Sequence, residues 1–354
     1  MKPLKTSNKY SDHKIVHFPE KLESLRTGKV AAPLYVRVKP INKCCHDCFF
    51  CVYNKENSNM HDNMDRADML SKDKLFEILD NFKEMGVKAL TYSGGGEPLM
   101  HPNIVEVLNK TKENGIDLSI LTNGQLLSGQ RANALKDARW VRVSMDYCTP
   151  EQFVASRGSN AKMFDVIIEN LKKFASIKNP DCDLSVNFII TRENYENIIE
   201  AAKLLKDAKV DNVRFSPVWL IDYIDYHKPL IEEVKSRLAF ARGLFESENF
   251  KIYDSYNITP EVVNRKYSKC FIMQIIPVIG ADYNVYTCHN KSYTNEACMG
   301  SIKHQSFKDL WFSEQTKSFF ESFNPQENCR CQCANDKKNI FIHDLIDCYG
   351  DNFV

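Results

Sequence analysis

Cysteines offer the strongest chemistry in this sequence, because thiolates are good ligands for soft metal centres. The cysteine loop, INKCCHDCFFC at residues 41–51, separates Cys44, Cys48 and Cys51 by three and two residues. Such a tight loop can direct three thiolates at three irons of a 4Fe-4S cluster and leave the fourth iron open. Cys45 offers an alternative register. Structural zinc is the other alternative, although zinc normally takes four ligands and no matching His or Cys pair follows closely.

A second set of cysteines lies in the C-terminal part of the chain. Cys270 and Cys288 bracket the segment IIPVIGADYNVYTC, which predicts a β-hairpin with a thiolate at each end. The segment ENCRCQC then supplies Cys329, Cys331 and Cys333. Four thiolates suit either an iron-sulfur cluster or a zinc ribbon, so the spacing alone leaves both open.

Strands and helices alternate through the middle of the sequence, which favours a parallel sheet with helical crossovers. Ser71 stands where a helix would begin and Gly86 where it would end. The predicted strands are APLYVRVKP, VKALTY, IDLSIL, WVRVSM, DLSVNFII and NVRFSP. Six such strands predict an open or closed β/α barrel, in which chemistry gathers at the carboxyl ends of the strands. The cysteine loop, SGGGEP and LTNG each follow a strand and therefore share this rim.

Near residue 250 the pattern changes to short strands, loops and cysteines. We therefore predict an N-terminal extension over 1–31, a partial barrel over 32–250 and a small α+β domain over 251–354. The sequence shows no flexible Gly/Ser linker, so we expect the two domains to pack together.

In order and spacing, these loops resemble those of the radical S-adenosylmethionine (SAM) superfamily. That family carries an aromatic residue before the third cysteine, and Phe50 stands there. The resemblance covers about residues 33–216 and implies a partial (β/α)6 TIM-like barrel with a 4Fe-4S cluster on Cys44, Cys48 and Cys51. It also implies that the open iron chelates SAM, whose reductive cleavage gives a 5′-deoxyadenosyl radical that abstracts hydrogen.

The resemblance further implies a set of SAM-binding residues. They are Phe50 at the adenine, Gly95, Gly96 and Glu97 at the methionine amino group, Thr122, Asn123 and Asn187 near the cofactor, Ser144 and Asp146 near the ribose, and Arg157 at the methionine carboxylate. Without the cysteines, the loops in SGGGEP, LTNG and VSMD would be ordinary turns or caps. A surface location is the alternative for Arg157.

The C-terminal cysteines and the segment GSIKHQSFKDLW resemble the twitch domain, a shortened relative of the SPASM domain. The resemblance implies one auxiliary 4Fe-4S cluster held by four cysteines. Cys270 and Cys288 are the first implied ligands, followed by Cys333 and then by Cys329 or Cys331.

This resemblance is incomplete in two places. The hairpin glycine of the usual Asp-Gly-Asn-Val pattern is replaced by Tyr283, and the last ligands come as Cys-x-Cys-x-Cys. A second auxiliary cluster that recruits Cys298 or Cys348 stays open.

Other residues carry weaker signals. We interpret Cys45, Cys182 and Cys298 as packing or incidental thiols. Cys148 lies just past the fourth strand, where a thiol could donate a hydrogen atom to a substrate radical, and an inert cysteine is the alternative. Arg214, at the end of the sixth strand, could bind a substrate phosphate or carboxylate, but an ordinary surface ion pair is the favoured interpretation.

We expect a radical SAM oxidoreductase or isomerase that acts on a small polar substrate, such as a sugar or nucleotide sugar that it oxidises or epimerises. The alternatives are radical modification of a ribosomally made peptide and a non-catalytic iron-sulfur or zinc binding protein. Roughly 30 residues precede the first strand, too few for a winged-helix leader-binding domain, which favours the small substrate.

Composition and charge restrict the partners. The 354 residues have a formal net charge of +1, so no strong overall field attracts nucleic acid or a membrane surface. The sequence lacks a run of the ~20 apolar residues that a membrane span requires. We therefore predict a cytoplasmic location, where thiols stay reduced. The resemblance adds a one-electron reductant such as flavodoxin or ferredoxin.

Overall fold

Ten strands form one sheet in this computed structural model. The structure describes residues 11–53, 61, 63–220, 222–258, 265–329 and 333–350. The strands are β1 (Tyr35–Val38), β2 (Ala89–Tyr92), β3 (Asp117–Thr122), β4 (Trp140–Met145), β5 (Asp183–Ile190), β6 (Asn212–Pro217), β7 (Lys251–Asp254), β8 (Val278–Ile279), β9 (Asn284–Tyr286) and β10 (Cys298–Ser301). Their order in the sheet is β10-β9-β8-β1-β2-β3-β4-β5-β6-β7. From β8 to β7 all neighbours are parallel, whereas β9 and β10 pair antiparallel.

Helices connect the parallel strands and continue into the C-terminal part. They are α1 (Pro19–Thr27), α2 (Lys72–Met85), α3 (Ile104–Glu113), α4 (Gly129–Leu135), α5 (Pro150–Arg157), α6 (Lys162–Ile177), α7 (Ile198–Asp207), α8 (Tyr223–His227), α9 (Ile231–Phe245), α10 (Phe307–Trp311), α11 (Glu314–Ser322), α12 (Pro325–Asn328) and α13 (Asp336–Asp347). As predicted, α2 is capped by Ser71, whose hydroxyl accepts from the Lys74 amide, and ends at Gly86, which has a left-handed φ of 76°.

The two faces of the barrel sheet differ sharply. On the outer face, the strand residues are buried and apolar, including Val36, Leu90, Val143 and Phe215. This face packs on the helices, since a sheet must bury its apolar side against another layer. On the inner, concave face the alternate positions of β1, β4, β5 and β6 are largely polar and half-buried. The alternation fixes which residues face the barrel interior.

The mixed α/β class and the partial barrel that the sequence predicts are confirmed. All six predicted strands are present, and the sheet stays open rather than closing on itself. Two short strands extend it at opposite edges: β7, which was not predicted, lies beside β6, and β8 of the predicted hairpin lies beside β1, a pairing that was not predicted. The limits 32–250 and 251–354 stay predictions, and β7 at 251–254 belongs to the barrel sheet.

The C-terminal part joins the barrel through the predicted hairpin. Strands β8 and β9 pair antiparallel, and Tyr283 in their turn has a left-handed φ of 67°, the conformation in which glycine is usual. A second apolar cluster packs the N-terminal segment against this part through Ile15, Leu25, Phe271 and Ile342. The segment before the barrel therefore shares its core with the C-terminal helix α13.

Within the described part of the chain, none of the helices is long and apolar enough to cross a membrane.

Contact between the barrel helices and the C-terminal domain can be tested at Phe82. This ring is fully buried on α2 and meets Phe307 of α10 edge to face, with centroids 5.1 Å apart. We expect Phe82→Ala to lower the free energy of unfolding by about 3 to 5 kcal/mol, because it removes a core ring and leaves a cavity. Phe312→Ala, at a 46% exposed ring, is the control and should change it by less than about 1 kcal/mol. Denaturant unfolding measures both changes. Equal losses of unfolding free energy in the two variants would contradict the assignment of Phe82 to a buried contact with Phe307.

Candidate active site

The cysteine loop follows β1 and is tied to the end of α5. The amides of Asp47 and Phe49 donate to the carbonyls of Arg157 and Ser156, at 2.8 and 3.3 Å. Within the loop, the Cys51 amide donates to the Cys48 carbonyl at 3.0 Å, which closes a tight turn. Helix α5 therefore sets the path of the loop.

The three predicted cluster ligands share the cysteine loop. Burial raises the pKa of Cys48 and of Cys51, and the negative charge of the neighbouring Cys44 thiolate raises both further. The His46 amide lies 3.4 Å from the Cys44 sulfur, as a donor. Donors of this kind stabilise thiolates that ligate a metal.

Arg157 is the buried centre of the site. Its Nε and Nη2 lie 2.7 and 2.6 Å from one carboxylate oxygen of Asp146, and its Nη1 donates to the Cys48 sulfur at 3.3 Å. A third contact runs from Nη2 to the Ser144 carbonyl at 3.3 Å, and the ring of Phe50 lies 5.5 Å away. The side chain is only 4% exposed, so the surface alternative for Arg157 is wrong. Its guanidinium joins β4, α5 and the cysteine loop.

Glu97 links the loops after β2 and β3. Its buried carboxylate accepts from the Leu99 amide at 3.0 Å, the Thr122 hydroxyl at 2.7 Å and the Asn123 amide at 2.7 Å. Burial raises the pKa of Glu97, and the three donors oppose that shift. The carboxylate thus positions both loops.

The glycines of SGGGEP allow this loop to approach the start of the cysteine loop. A β-carbon on Gly95 would lie 2.3 Å from the Asn42 side-chain oxygen, and one on Gly96 would lie 2.1 Å from the Lys43 carbonyl. Side chains cannot be accommodated at such distances, so the close approach requires glycine.

The remaining SAM-site candidates lie along the same rim. Asn123 donates through Nδ2 to the sulfur of Cys45 at 3.1 Å, so Cys45 contacts a predicted SAM residue. Asn187 and Ser144 are adjacent on β5 and β4, half-buried on the concave face. Asn187 accepts a hydrogen bond from Ser216 at 3.2 Å. The structure brings the predicted SAM residues together, and their contacts with SAM stay predictions.

The second cysteine site draws its members from separate segments. Burial raises the pKa of Cys270, and the charges of Cys288, Cys333 and Cys329 raise it further. That these four thiols ligate one cluster stays a prediction. Burial also raises the pKa of Cys333 to about 11, and the Asn335 amide lies 3.4 Å from its sulfur. Cys331 lies outside the described residues.

Cys298 and Cys348 occupy different places from these four thiols. The Cys298 thiol lies 3.9 Å from the Gly300 carbonyl in β10, and Cys348 is exposed at the end of α13. Among the described side chains, no three His, Cys, Asp or Glu residues converge as ligands of a single metal ion.

A buried network that the sequence analysis missed lies between the two cysteine sites. Lys39, directly after β1, is fully buried and donates to the hydroxyls of Tyr53 at 2.8 Å and Ser292 at 2.5 Å. His61 contacts the Ser292 carbonyl at 2.6 Å. Tyr53 follows Cys51 by two residues and Ser292 follows Cys288 by four, so the network joins the two sites.

Cys148 points toward the helical layer. Its thiol lies 3.7 Å from the carbonyl of Asn197, and its amide donates to Gln152 of α5 at 2.7 Å. Burial raises the pKa of the thiol to about 12. Its role as a hydrogen-atom donor stays a prediction. Cys182 is buried in the core.

These features describe a partial β/α barrel with a three-cysteine loop at the rim and a second group of cysteines in the C-terminal part. Amide and guanidinium donors at the sulfurs fit thiolates that ligate iron, and the glycine loop fits a ligand held against backbone.

Comparison with known families gives the same class. A model described as the radical SAM superfamily matches residues 38–205, and one described as an iron-sulfur cluster-binding domain, SPASM, matches residues 270–334. The chain therefore contains a radical SAM domain followed by a SPASM-type iron-sulfur domain. Its cofactors are therefore SAM and 4Fe-4S clusters, as predicted.

Curated relatives are distant. A probable GTP 3′,8-cyclase of Sulfolobus acidocaldarius is 26% identical over 64% of this chain and 72% of its own length. The GTP 3′,8-cyclase of Limosilactobacillus fermentum is 31% identical over 51% of this chain, which spans only 53% of that protein. The tungsten-containing aldehyde ferredoxin oxidoreductase cofactor-modifying protein of Pyrococcus furiosus is 24% identical over 90% of this chain and 92% of its length.

A solved structure shares the fold. SuiB of Streptococcus suis, bound to SAM, superposes with a TM-score of 0.65 and 18% identity over 86% of this chain and 72% of that one.

The second cysteine site can be tested by its iron. We expect Cys270→Ser to remove about half of the iron and sulfide of the anaerobically reconstituted protein, because a ligand of one of two clusters is lost. Cys298→Ser is the matched control and should keep the full content. Iron analysis and electron paramagnetic resonance measure the result, and full iron in Cys270→Ser would contradict the ligand assignment.

Gly96 provides a test of the close loop contact. We expect Gly96→Ala to weaken SAM binding by about tenfold or more, since its β-carbon meets the backbone of the cysteine loop. The control is Gly243→Ala in α9, where a β-carbon meets nothing within 4 Å and alanine favours the helix. Calorimetric titration of the reconstituted protein with SAM measures both, and unchanged affinity in Gly96→Ala would show that the loop does not bind SAM.

Proposed function

We propose that this enzyme reductively cleaves SAM at Cys44, Cys48 and Cys51 and abstracts a hydrogen atom from a small polar substrate bound over the concave face. One observation carries the proposal. The cysteine loop, the glycine loop and the buried Arg157–Asp146 pair meet at the carboxyl ends of β1 to β4, above a polar barrel interior.

Each part of the site has a distinct task. When bound, the cluster and SAM supply a 5′-deoxyadenosyl radical for hydrogen abstraction. The three thiols hold the cluster, and Arg157 fixes the Cys48 sulfur while balancing the buried charge of Asp146. Glu97 holds the loops after β2 and β3 in register with the cysteine loop. The thiols of Cys270, Cys288, Cys329 and Cys333 would hold the auxiliary cluster.

The reaction class is wider than the sequence alone suggested. Oxidation or epimerisation of a sugar or nucleotide sugar was the expectation. Among the curated relatives described above, two are named GTP 3′,8-cyclases and one is named a cofactor-modifying protein. We therefore include ring closure on a nucleotide beside oxidation and epimerisation. SuiB has been solved with its precursor peptide SuiA, but at 17% identity that likeness concerns the fold.

A one-electron donor of the flavodoxin or ferredoxin type would supply the reducing electron, and a cytoplasmic location would keep both cysteine sites reduced. Both stay proposals.

Cleavage of SAM tests the proposed function directly. The reconstituted wild-type protein should form 5′-deoxyadenosine under anaerobic reduction with dithionite, and Cys48→Ser should abolish it because a cluster ligand is lost. Cys348→Ser, at an exposed thiol, is the control and should keep the wild-type rate. Chromatography with mass detection measures the product. Absence of 5′-deoxyadenosine from a fully iron-loaded wild-type protein would favour the non-catalytic binding protein instead.

A further inference from the structure

Lys39 lies at the centre of a buried contact between the barrel and the C-terminal part of the chain. Its side chain is fully buried directly after β1. The amine donates to the hydroxyls of Tyr53 at 2.8 Å and Ser292 at 2.5 Å, and it lies 4.5 and 4.7 Å from the ring centres of Tyr53 and Tyr293. A buried amine needs such partners, because an unsatisfied one would be costly to remove from water. Lys39 therefore binds residues of both parts of the chain.

Tyr53 connects Lys39 to the cysteine loop, since it follows Cys51 by two residues. Burial raises the pKa of the Cys51 thiol, and a hydrogen bond from the Tyr53 amide to that thiol opposes the shift. The ring of Tyr53 packs on His61, with centroids 4.5 Å apart. A displacement of Tyr53 would therefore move a group that contacts a predicted cluster ligand.

Ser292 connects Lys39 to the second cysteine site. It follows Cys288 by four residues, directly after the short 3-10 helix His289–Lys291. The Lys291 amide donates to the Cys288 carbonyl at 3.4 Å, and the Ser292 hydroxyl donates to the His289 carbonyl at 3.0 Å. These bonds close one tight turn, so the position of Ser292 depends on that of Cys288.

Tyr293 extends the contact to the other flank of the cysteine loop. Its hydroxyl donates to the Asn42 side-chain oxygen at 2.5 Å, and Asn42 precedes Cys44 by two residues. A β-carbon on Gly95 would lie 2.3 Å from the same oxygen, so Asn42 also packs against the glycine loop. Tyr293 has a left-handed φ of 63°, which a non-glycine residue keeps only where its surroundings hold it. Ser292 and Tyr293 thus link the C-terminal part to both flanks of the cysteine loop.

We propose that Lys39 is a positioning residue that couples SAM binding at the cysteine loop to occupation of the second cysteine site. The inference rests on the proposed function and assigns to the C-terminal domain an effect on the SAM site. Cys288 would be fixed by ligation of the auxiliary cluster, and the turn after it would then fix Ser292. Lys39 passes this constraint to Tyr53 and so to Cys51. Such coupling is a difference in binding free energy, and it is reciprocal between the two sites.

A cycle of variants tests the coupling. Anaerobic calorimetric titration measures SAM affinity in the reconstituted wild type, Cys270→Ser, Lys39→Met and the double variant, and iron analysis gives the cluster content of each. Cys270→Ser should weaken SAM binding by about fivefold or more when Lys39 is present, and by less than about twofold in the Lys39→Met background. Equal effects of Cys270→Ser in both backgrounds, or no effect in either, overturn the inference.

Lys21→Met is the matched control, because Lys21 is also a buried lysine. Its side chain is on α1, and its amine donates to the carbonyls of Ala31 and Ala32 at 3.0 and 3.1 Å. In the Lys21→Met background, Cys270→Ser should weaken SAM binding as much as it does in the wild type. If Lys21→Met removes this effect as fully as Lys39→Met does, the cause is a general loss of stability and the assignment to Lys39 is overturned.

Tyr53→Phe and Ser292→Ala serve as second variants if Lys39→Met does not fold. Each removes one hydroxyl that accepts from the Lys39 amine, and neither removes a charge. The loss of SAM affinity caused by Cys270→Ser should be at least about twofold smaller in each of these backgrounds than in the wild type. Thermal unfolding establishes which variants are folded. An unchanged loss in both folded variants overturns the inference.

The two proposals fail in different ways. Wild-type protein that forms 5′-deoxyadenosine, with equal effects of Cys270→Ser in the two backgrounds, overturns the coupling alone. Protein that binds SAM with the expected coupling yet never cleaves it overturns the proposed function alone. Fully iron-loaded wild-type protein that binds no SAM overturns both.

Discussion

The alternation of side chains along the barrel strands is the constraint on which the rest of the structure depends. Buried residues such as Val36 and Val143 commit one face of the sheet to the helices. The opposite face can then be polar, and the loops of the site follow the carboxyl ends of the strands. The positions of the cysteine loop and of the glycine loop both follow from this one division of the sheet.

Buried polar contacts hold the loops of the candidate active site in place on the barrel sheet. Arg157 satisfies Asp146 and reaches Cys48, so a helix and a strand together position one thiol. Glu97 acts similarly between two loops, and Lys39 does so between the two cysteine sites. Each of these charged side chains is almost fully buried and hydrogen-bonded, as burial of a charge requires. The chain has fixed its loops with polar groups rather than with apolar packing alone.

The sequence predicted the six barrel strands because each is a long enough apolar or alternating run between helices. It did not predict β7, since four residues carry too little pattern and depend on the neighbouring strand. It predicted the hairpin that contains β8 but not the pairing of β8 with β1. The burial of Arg157 could not be predicted from the sequence, because it depends on the packing of α5 against the cysteine loop in the folded chain.

Strand β8 occupies the edge of the barrel beside β1, where Arg37 and Lys39 donate their amides to Pro277 and Ile279. The C-terminal domain is thus part of the same hydrogen-bonded sheet. Removing it would uncover β1 as an unprotected edge and invite pairing with other chains. A chimera that replaces this domain with that of a relative must therefore include a strand that pairs with β1. The C-terminal domain is thus not an independent unit for exchange between proteins.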